Sequence, residues 1–264
     1  MKKISLESTV EFLNRKKENN IMNIDNLKYM QEEGGSVECY RNLDCVYVFE
    51  KVNEDVYGYI FSIGNRIKTD DIITLLEKYT NMVSLNIDVQ EFDEDSVKVI
   101  KAILENSRLE LKRELKDYCM NSNCVVLKDN CENTNTRILT GADKEAFVSM
   151  ENEVESGRPP LEILYKVFIM QKRGNIIAYF DENKIVGYIS FNMLFDNIFD
   201  VDYIYVSPSQ RKNGIGKKLA IAFVNEVLSK NGVAFWSNAK TLESERIAEK
   251  VGFKLARKSL IYKF

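Results

Sequence analysis

Residues 200–219, DVDYIYVSPSQRKNGIGKKL, decide the fold of this chain. Residues 201–206 are mostly β-branched or aromatic, which favours a half-buried β-strand. Pro208 cannot donate a hydrogen bond to a sheet, so the strand ends near it. Residues 211–218 then form a basic loop with two glycines, directly before a helical pattern of apolar residues. This succession of strand, loop and helix predicts a place where phosphate can bind.

The helix after the loop carries one apolar stripe. Its members recur every four residues and are Ile215, Leu219, Phe223 and Val227. This spacing puts them on one face of a helix that packs against the rest of the domain. At the helix start the N–H groups have no partner within the helix, and the helix dipole adds partial positive charge. Gly214 and Gly216 let this backbone approach a pyrophosphate without a Cβ in the way.

Three nucleotide-binding motifs compete for these glycines. A Walker loop, G-x-x-x-x-G-K-[ST], does not occur in the chain. A dinucleotide fingerprint, G-x-G-x-x-G, fails because Leu219 stands at its last position. The remaining pattern is R-x-x-G-x-G at Arg211, Gly214 and Gly216, and the neighbouring lysines add positive charge around it. The loop is therefore predicted to hold a pyrophosphate in a way that differs from both other motifs.

The composition excludes several kinds of chemistry. The chain has 264 residues, of which 45% are hydrophobic and 29% charged, ordinary values for a globular protein. It contains no histidine, which excludes Ser-His-Asp and Cys-His hydrolases. None of its five cysteines forms a C-x-x-C pair, so we expect reduced thiols and no metal site.

Charge and hydropathy predict a cytoplasmic protein. From residue 133 onward 19 Lys and Arg stand against 15 Asp and Glu, and before it 18 stand against 25. This balance lacks the basic excess of a dedicated nucleic-acid binder, so no nucleic-acid partner is expected. No apolar run reaches the roughly 20 residues of a membrane helix, and the start has no apolar signal region. We expect no membrane contact, and a monomer or a homodimer.

A polar, asparagine-rich stretch divides the chain. Residues 128–137, KDNCENTNTR, have no apolar periodicity and are typical of a linker. This predicts a smaller N-terminal α/β domain at residues 1–132 and a second domain at residues 133–264. The second domain has the predicted order β-α-α-β-β-β-α-β-α-β, which implies a mixed sheet with helices on both faces. The fold class is therefore α/β (α+β).

Three segments of the second domain resemble the GCN5-related N-acetyltransferase (GNAT) superfamily. Residues 206–208 (VSP) and 211–216 (RKNGIG) match its signature, [QR]-x-x-G-x-[GA] after a strand that ends near V-x-P. Residues 244–253 (SERIAEKVGF) resemble its final helix with the usual G-F end, and residues 184–189 (KIVGYI) resemble its hairpin strand. The resemblance covers residues 136–264 and implies the GNAT fold, with a mixed central sheet.

The resemblance also implies that acetyl-coenzyme A, or another acyl-CoA, is the co-substrate. It would bind in a V-shaped gap between the strands at 200–206 and 233–236, with its pyrophosphate on the loop and its pantetheine along the first strand. An amine would attack the thioester carbonyl directly, and main-chain N–H near Val206 would stabilise the oxyanion. The residues expected to bind the co-substrate are Ile204, Tyr205, Val206, Arg211, Lys212, Asn213, Gly214, Ile215, Gly216, Lys217, Thr241 and Ser244.

Two positions depart from the family pattern and leave the proton chemistry open. The family often has a tyrosine as general acid where this chain has Ala248, and an asparagine where it has Thr241. The candidates for catalysis are Asp202, Asp200 and Tyr262, with Tyr205 as a further hydroxyl donor. The two aspartates are candidate bases on the central strand, or carboxylates that are merely solvated at its end. Water can also protonate the leaving thiolate, because a thiol is acidic enough to need no dedicated acid.

The first half carries a faint internal repeat. Leu255-x-Arg257-x-x-x-x-Tyr262 matches Leu111-x-Arg113-x-x-x-x-Tyr118 at an offset of 144 residues. The first half is thus a candidate degenerate copy of part of the GNAT fold, with chance similarity as the alternative. It has no R-x-x-G-x-G, so it is not expected to bind coenzyme A.

These observations predict a transferase of the N-acyltransferase class. The expected reaction moves an acetyl group from acetyl-CoA to a primary amine of a small molecule. One alternative within the same chemistry is an amine on a protein or peptide. Another, from a different class, is a non-catalytic protein that binds acyl-CoA for regulation, which Ala248 and the absence of histidine would favour.

Overall fold

The chain folds into two units that do not follow one another simply in sequence. The computed structural model describes residues 1–15, 20–32, 36–64, 67–90, 92–107, 109–120, 135–153 and 159–263. Unit 1 consists of Met1–Lys116 together with Leu255–Phe264, and unit 2 consists of Asp117–Lys254. The C-terminal segment therefore belongs to the N-terminal unit.

The described residues form strands and helices in the following order along the chain. The strands are β1 (Lys2–Ile4), β2 (Ser36–Asn42), β3 (Cys45–Val52), β4 (Asp55–Ser62), β5 (Met82–Asp88), β6 (Glu110–Met120), β7 (Thr136–Ile138), β8 (Asn175–Asp181), β9 (Lys184–Met193), β10 (Ile198–Val206), β11 (Val233–Trp236) and β12 (Lys254–Lys263). The helices are α1 (Leu6–Leu13), α2 (Ile21–Glu32), α3 (Thr69–Lys78), α4 (Glu94–Asn106), α5 (Lys144–Val148), α6 (Leu161–Tyr165), α7 (Ile215–Ser229) and α8 (Leu242–Val251). None of the helices in these ranges is long and apolar enough to cross a membrane.

Unit 1 is built on a meander of antiparallel strands. Its strands lie in the order β1-β2-β3-β4-β5-β12, with β4 and β5 parallel and the other neighbours antiparallel. Asn53 has a left-handed backbone (φ 57°) in the two-residue turn between β3 and β4, a conformation that asparagine tolerates and hairpin turns require. The apolar side of this sheet packs with α3 and α4 into one core.

Unit 2 has helices on both faces of its sheet, as the sequence predicts. Its strands lie in the order β6-β11-β10-β9-β8-β7, and the part of β6 from Asp117 onward belongs to this unit. Neighbouring residues of a strand point to opposite faces. Ile189 of β9 accordingly packs with α7 and α8, whereas Tyr188 packs with α5 and α6.

The two halves of the sequence contain the same succession of elements, and in each half the last strand pairs with a strand from the other half. Each has three antiparallel strands, a helix, a parallel strand, a second helix and a last strand. The last strand of the first succession, β6, pairs with β11, where Tyr118 lies opposite Trp236. The last strand of the second, β12, pairs with β5, where Tyr262 lies opposite Leu85. The two tyrosines are the pair that the offset of 144 residues relates.

Several predicted elements differ in detail from the observed ones. The apolar spacing from Leu6 to Glu33 predicts a helical region, and the described residues there form two helices, α1 and α2. The apolar residues Leu161, Leu164, Tyr165 and Phe168 predict a helix at residues 161–170, where the structure has α6 followed by a π-helical turn at Lys166–Met170. Residues 124–127 (CVVL) predict a short strand, but this segment and the linker up to residue 134 lie outside the described residues. The division into units places residues 117–120 with unit 2 and residues 255–264 with unit 1, so it differs from a single boundary at residue 133.

A fragment that begins at Asn133 is expected to fold less stably than the full chain. It lacks residues 118–120, which pair with residues 234–236, and this loss exposes an edge of β11. It keeps β12 but lacks β5, with which β12 pairs. We expect a melting temperature about 10 °C or more below that of the full chain, measured by circular dichroism. A fragment with the same melting temperature as the full chain would contradict the importance of the β6–β11 and β5–β12 pairings for stability.

Candidate active site

The candidate site lies where two parallel strands of unit 2 separate. The ladder between β10 and β11 contains three residue pairs and ends where Asp200 lies opposite Phe235. β10 runs on to Val206 and stays paired with β9 over this length. In unit 1 the corresponding ladder between β4 and β5 extends from Val56 to Ile60. In unit 2, therefore, β10 runs further beyond its last pair with the parallel strand than β4 does in unit 1.

A β-bulge at Asp202 marks the point of separation. Val201 lies opposite Phe191 and Tyr203 lies opposite Ser190, so one residue of β10 has no counterpart on β9. A bulge resets the alternation of the strand and increases its local twist. Tyr203 consequently packs on the side of α5 and α6, whereas Val201 packs on the side of α7 and α8.

The glycine loop leads from the end of β10 into α7. Residues 208–210 form a short 3-10 turn, and the Arg211 side chain folds back so that its Nε donates to the Val206 carbonyl at 3.1 Å. Lys212 and Gly214 both have left-handed backbones, with φ of 69° and 76°. Gly214 is the N-cap of α7 and contributes no capping side chain. The first N–H groups of the helix thus open onto the loop, the arrangement that binds anions.

The two glycines of the loop have different roles. A Cβ built on Gly214 would have no atom within 4 Å, so open space lies beside its backbone. A Cβ built on Gly216 would lie 2.9 Å from the Cδ1 atom of Ile247 on α8. Gly214 therefore supplies the loop conformation and leaves open space beside it, and Gly216 lets α8 pack close to the start of α7. The sequence pattern alone does not separate these roles.

Positive charge surrounds the start of α7, and no acidic residue lies in its first turn. The Nζ of Lys218 lies 3.4 Å from the Tyr179 hydroxyl and 5.3 Å from the centre of that ring, which holds this cation beside the helix start. The corresponding helix of unit 1, α3, carries Asp70 and Asp71 in its first turn. Asp71 accepts a hydrogen bond from Asn42 Nδ2 at 2.6 Å. The helix start of unit 2 suits a phosphate, and that of unit 1 repels one.

The two candidate aspartates occupy different environments. Asp200 is buried, and its carboxylate accepts hydrogen bonds from the Ser237 N–H at 2.9 Å and the Ser237 hydroxyl at 2.7 Å. Burial raises its pKa to about 8, and the charges of Asp202 and Asp117 add to this rise, although the hydrogen bonds from Ser237 oppose it. Asp202 is exposed at the bulge, and partial desolvation by the surrounding protein raises its pKa to about 6. Only Asp202 presents its carboxylate to solvent.

The candidate tyrosines are both buried. Tyr205 points to the side of α5 and α6, where its hydroxyl donates to the carbonyl oxygen of Glu153. Tyr262 belongs to unit 1, where it packs in the apolar core and burial raises its pKa to about 12. Neither placement provides direct support for an acid at the gap, and the catalytic role of Tyr262 stays a prediction.

Thr241 and Ser244 stabilise the elements that follow the gap. Thr241 is the N-cap of α8, and its hydroxyl accepts from the Ser244 N–H at 3.1 Å. The Ser244 hydroxyl accepts from Trp236 Nε1 at 3.1 Å, which ties the end of β11 to α8. Trp236 is a core residue with 2% of its surface exposed, and it packs edge-on against Phe253. The ligand contacts expected of Thr241 and Ser244 remain predictions.

A further hydroxyl approaches α8 beside Ala248. Tyr118 of β6 donates to Glu249 Oε1 at 3.1 Å, while Ala248 itself is fully buried in the core. Burial, and then this hydrogen bond, raise the pKa of Tyr118 above its usual range. Local sequence patterns do not indicate this contact because the two residues are 131 positions apart, although Tyr118 is part of the internal repeat.

A comparison with known families agrees with this geometry. A family model described as "Acetyltransferase (GNAT) family" matches residues 144–253, which include the separated strands and the glycine loop. Residues 144–253 belong to the GNAT acetyltransferase family. The GNAT domain thus lies within unit 2, and the family implies acyl transfer. Among curated proteins, no relative matches the chain. In the described part of the chain, no group of three or more Cys, Asp or Glu side chains is arranged to hold a metal ion.

Solved structures share the fold at low sequence identity. A GNAT-family acetyltransferase from Colwellia psychrerythraea is 14% identical, covers 100% of this chain and 98% of its own, and has a TM-score of 0.57. A GCN5-related N-acetyltransferase from Sphaerobacter thermophilus is 12% identical over 84% of this chain and 76% of its own, with a TM-score of 0.55. One from Kribbella flavida is 10% identical over 90% and 94%, with a TM-score of 0.54. The fold of the whole chain, and not only of its GNAT domain, therefore recurs in GNAT structures.

Proposed function

We propose that the protein is an N-acetyltransferase that moves an acetyl group from acetyl-CoA to a primary amine of a small molecule. One observation carries this proposal: the ladder between β10 and β11 ends at Asp200, and the strand that continues leads directly into the loop at Gly214. A gap along a strand, followed by an anion site at a helix start, fits a long ligand with a pyrophosphate in its middle.

The described residues have the chemistry to bind the pantetheine and the pyrophosphate of coenzyme A. The pantetheine arm carries amides that can pair with the main chain of β10 near Ile204 and Val206, as an added strand would. The pyrophosphate fits the N–H groups from residue 211 to residue 216, next to the open space beside Gly214. The cations Arg211, Lys212 and Lys217 add attraction for the phosphates.

The reaction that follows from this binding has a balanced path. Asp202 accepts a proton from the substrate ammonium, and the free amine nitrogen attacks the thioester carbonyl carbon. A C–N bond forms, and the main chain near Val206 stabilises the negative oxygen of the tetrahedral intermediate. The nitrogen of the intermediate loses its extra proton to solvent, and the C–S bond breaks to give the neutral amide. The thiolate of coenzyme A leaves and takes a proton from solvent, which it can do unaided because a thiol has a pKa of about 8.5.

A small cationic amine is the acceptor that the electrostatics favour. Asp202 is ionised near neutral pH with a pKa of about 6, and it is exposed at the bulge where the strands part. A carboxylate in this place attracts a protonated amine and then removes its proton. An amine on a protein or peptide would use the same chemistry, and the acceptor screen below separates the two.

One observation favours a second function, the non-catalytic binding of acyl-CoA. Ala248 stands where the family often has a tyrosine, and it is fully buried, so it offers no proton to a leaving thiolate. A protein of this kind would bind acetyl-CoA in the same gap and transfer nothing.

The test combines a binding assay with an acceptor screen. Calorimetry with acetyl-CoA measures binding, and release of free thiol from acetyl-CoA is followed with a library of small amines and with peptides. We expect micromolar or tighter binding, and thiol release that depends on the presence of a small amine. Binding without release for any amine would favour the non-catalytic function, and absence of binding would refute both.

A further inference from the structure

Two buried carboxyl groups accept hydrogen bonds from the turn that follows β11. The Asp200 carboxylate accepts from the Ser237 N–H at 2.9 Å and from the Ser237 hydroxyl at 2.7 Å. The Asp117 carboxylate, on the neighbouring strand β6, accepts from the Asn238 N–H at 2.8 Å. Two successive N–H groups of this turn are thus held by side chains from the strands on either side of β11. We call these four residues the carboxylate clamp.

The clamp lies where the two parallel strands part. β11 ends at Trp236, one residue before Ser237, and its last pair with β10 joins Phe235 to Asp200 itself. Asn238 has a left-handed backbone (φ 51°), so the chain turns sharply there instead of continuing as a strand. Asp200 therefore both closes the ladder and fixes the first residue beyond it.

Burying these carboxylates is costly, so their position calls for a reason. Asp117 and Asp200 are exposed by only 1% and 5%. Buried ionisable groups lower stability unless hydrogen bonds compensate for the lost water, and here the compensation comes from the turn after β11. Neither carboxylate is needed to bury an apolar surface. What they do instead is hold one short segment in place.

We infer that Asp117 and Asp200 are positioning residues that fix the turn after β11 to the strands on its two sides, β6 and β10, and so set where the substrate gap begins. The assignment of the gap to acetyl-CoA rests on the proposed function. Because both oxygens of Asp200 face Ser237, Asp200 positions the strand and does not act as the base. Asp202 keeps that role.

The clamp can be tested in the full chain without any ligand. Trp236 is the only tryptophan of the protein and directly precedes the clamp, so its fluorescence reports on the end of β11. In Asp117→Ala and Asp200→Ala we expect Trp236 emission to shift to the red. We also expect hydrogen exchange at the amide that each variant leaves without its acceptor, Asn238 in Asp117→Ala and Ser237 in Asp200→Ala, to rise at least about tenfold. Asp202→Asn is the matched control and should leave both signals unchanged.

Conservative variants separate positioning from catalysis. Asp200→Asn and Asp117→Asn keep a carbonyl oxygen that accepts the same N–H groups, so we expect near-native exchange and emission. With acetyl-CoA, the alanine variants should bind about tenfold or more weakly, because the gap is no longer fixed, and the asparagine variants should bind within about threefold of the native chain. A base at position 200 would instead make Asp200→Asn as inactive as Asp200→Ala, with native binding.

The outcomes are distinguishable from a failure of the proposed function. If the native protein does not bind acetyl-CoA, the proposed function is wrong, while exchange and emission still decide whether the clamp fixes β11. Native exchange and emission in both alanine variants would overturn the clamp. If Asp200→Ala does not fold, Asp117→Ala removes the acceptor of the Asn238 N–H and should still raise exchange at residue 238. No rise there would overturn the clamp as well.

Discussion

Gly214→Val is expected to bind acetyl-CoA about a hundredfold or more weakly than the native chain, a change that calorimetry measures directly. Gly214 has a φ of 76°, a left-handed conformation that a β-branched residue adopts only with strain. A Cβ at this position meets no protein atom within 4 Å, so the substitution does not create a clash inside the fold. The valine side chain instead fills the open space that the proposed pyrophosphate would use.

Two further variants isolate the cause of this effect. Gly214→Asn places a residue that tolerates the left-handed conformation, so it should keep more affinity than valine and show how much of the loss comes from backbone strain. Gly252 also has a left-handed backbone (φ 108°), but at the C-cap of α8. Gly252→Val should therefore lower the melting temperature and leave affinity within about threefold. If Gly214→Val binds acetyl-CoA as tightly as the native chain, the loop is not the pyrophosphate site.

Local sequence patterns were sufficient to predict the loop and its neighbours. The R-x-x-G-x-G pattern at Arg211, Gly214 and Gly216 predicted a loop between a strand and a helix, and β10 and α7 lie on its two sides. Such signals depend on residues within one turn or one strand, so they survive in a single sequence. The comparison with the GNAT family confirms the family that these patterns indicated.

The arrangement of strands could not be predicted, because it depends on residues far apart in the chain. Pairing of β6 with β11 brings Tyr118 opposite Trp236, and nothing near either residue in sequence indicates the other. The same holds for β12, which the sequence places after α8 and the structure places beside β5. A polar stretch near residue 133 predicts a single boundary between two consecutive domains. A single boundary does not allow β6 to pair with β11 and β12 to pair with β5.

The roles of the two aspartates also depended on distant residues. Asp200 and Asp202 are equivalent in sequence, since both lie on the strand before the loop. Ser237 makes the difference, because its hydroxyl and N–H engage Asp200. The β-bulge accounts for the exposure of Asp202, which lies where the alternation of the strand is reset.

Asp202→Asn is expected to lower kcat by about a hundredfold or more, the usual effect of removing a general base. Its affinity for acetyl-CoA should stay close to native, because the Asp202 side chain lies outside the loop. The native pKa of about 6, raised by desolvation, means that Asp202 is protonated below this pH and ionised above it. Only the ionised form accepts a proton, so we expect native kcat/KM to rise with pH and to level off above about 6.

The pH profile separates this role from a merely structural one. In Asp202→Asn the rise near pH 6 should disappear along with the activity, because no group remains that titrates there at the bulge. Asp202→Glu keeps a carboxylate on a longer side chain, so it should recover part of kcat and show a pH-dependent rise again. Asp200→Asn should retain both kcat and the rise, since its carboxylate faces Ser237 and not the substrate. A native rate and an unchanged profile in Asp202→Asn would mean that the substrate amine loses its proton to water.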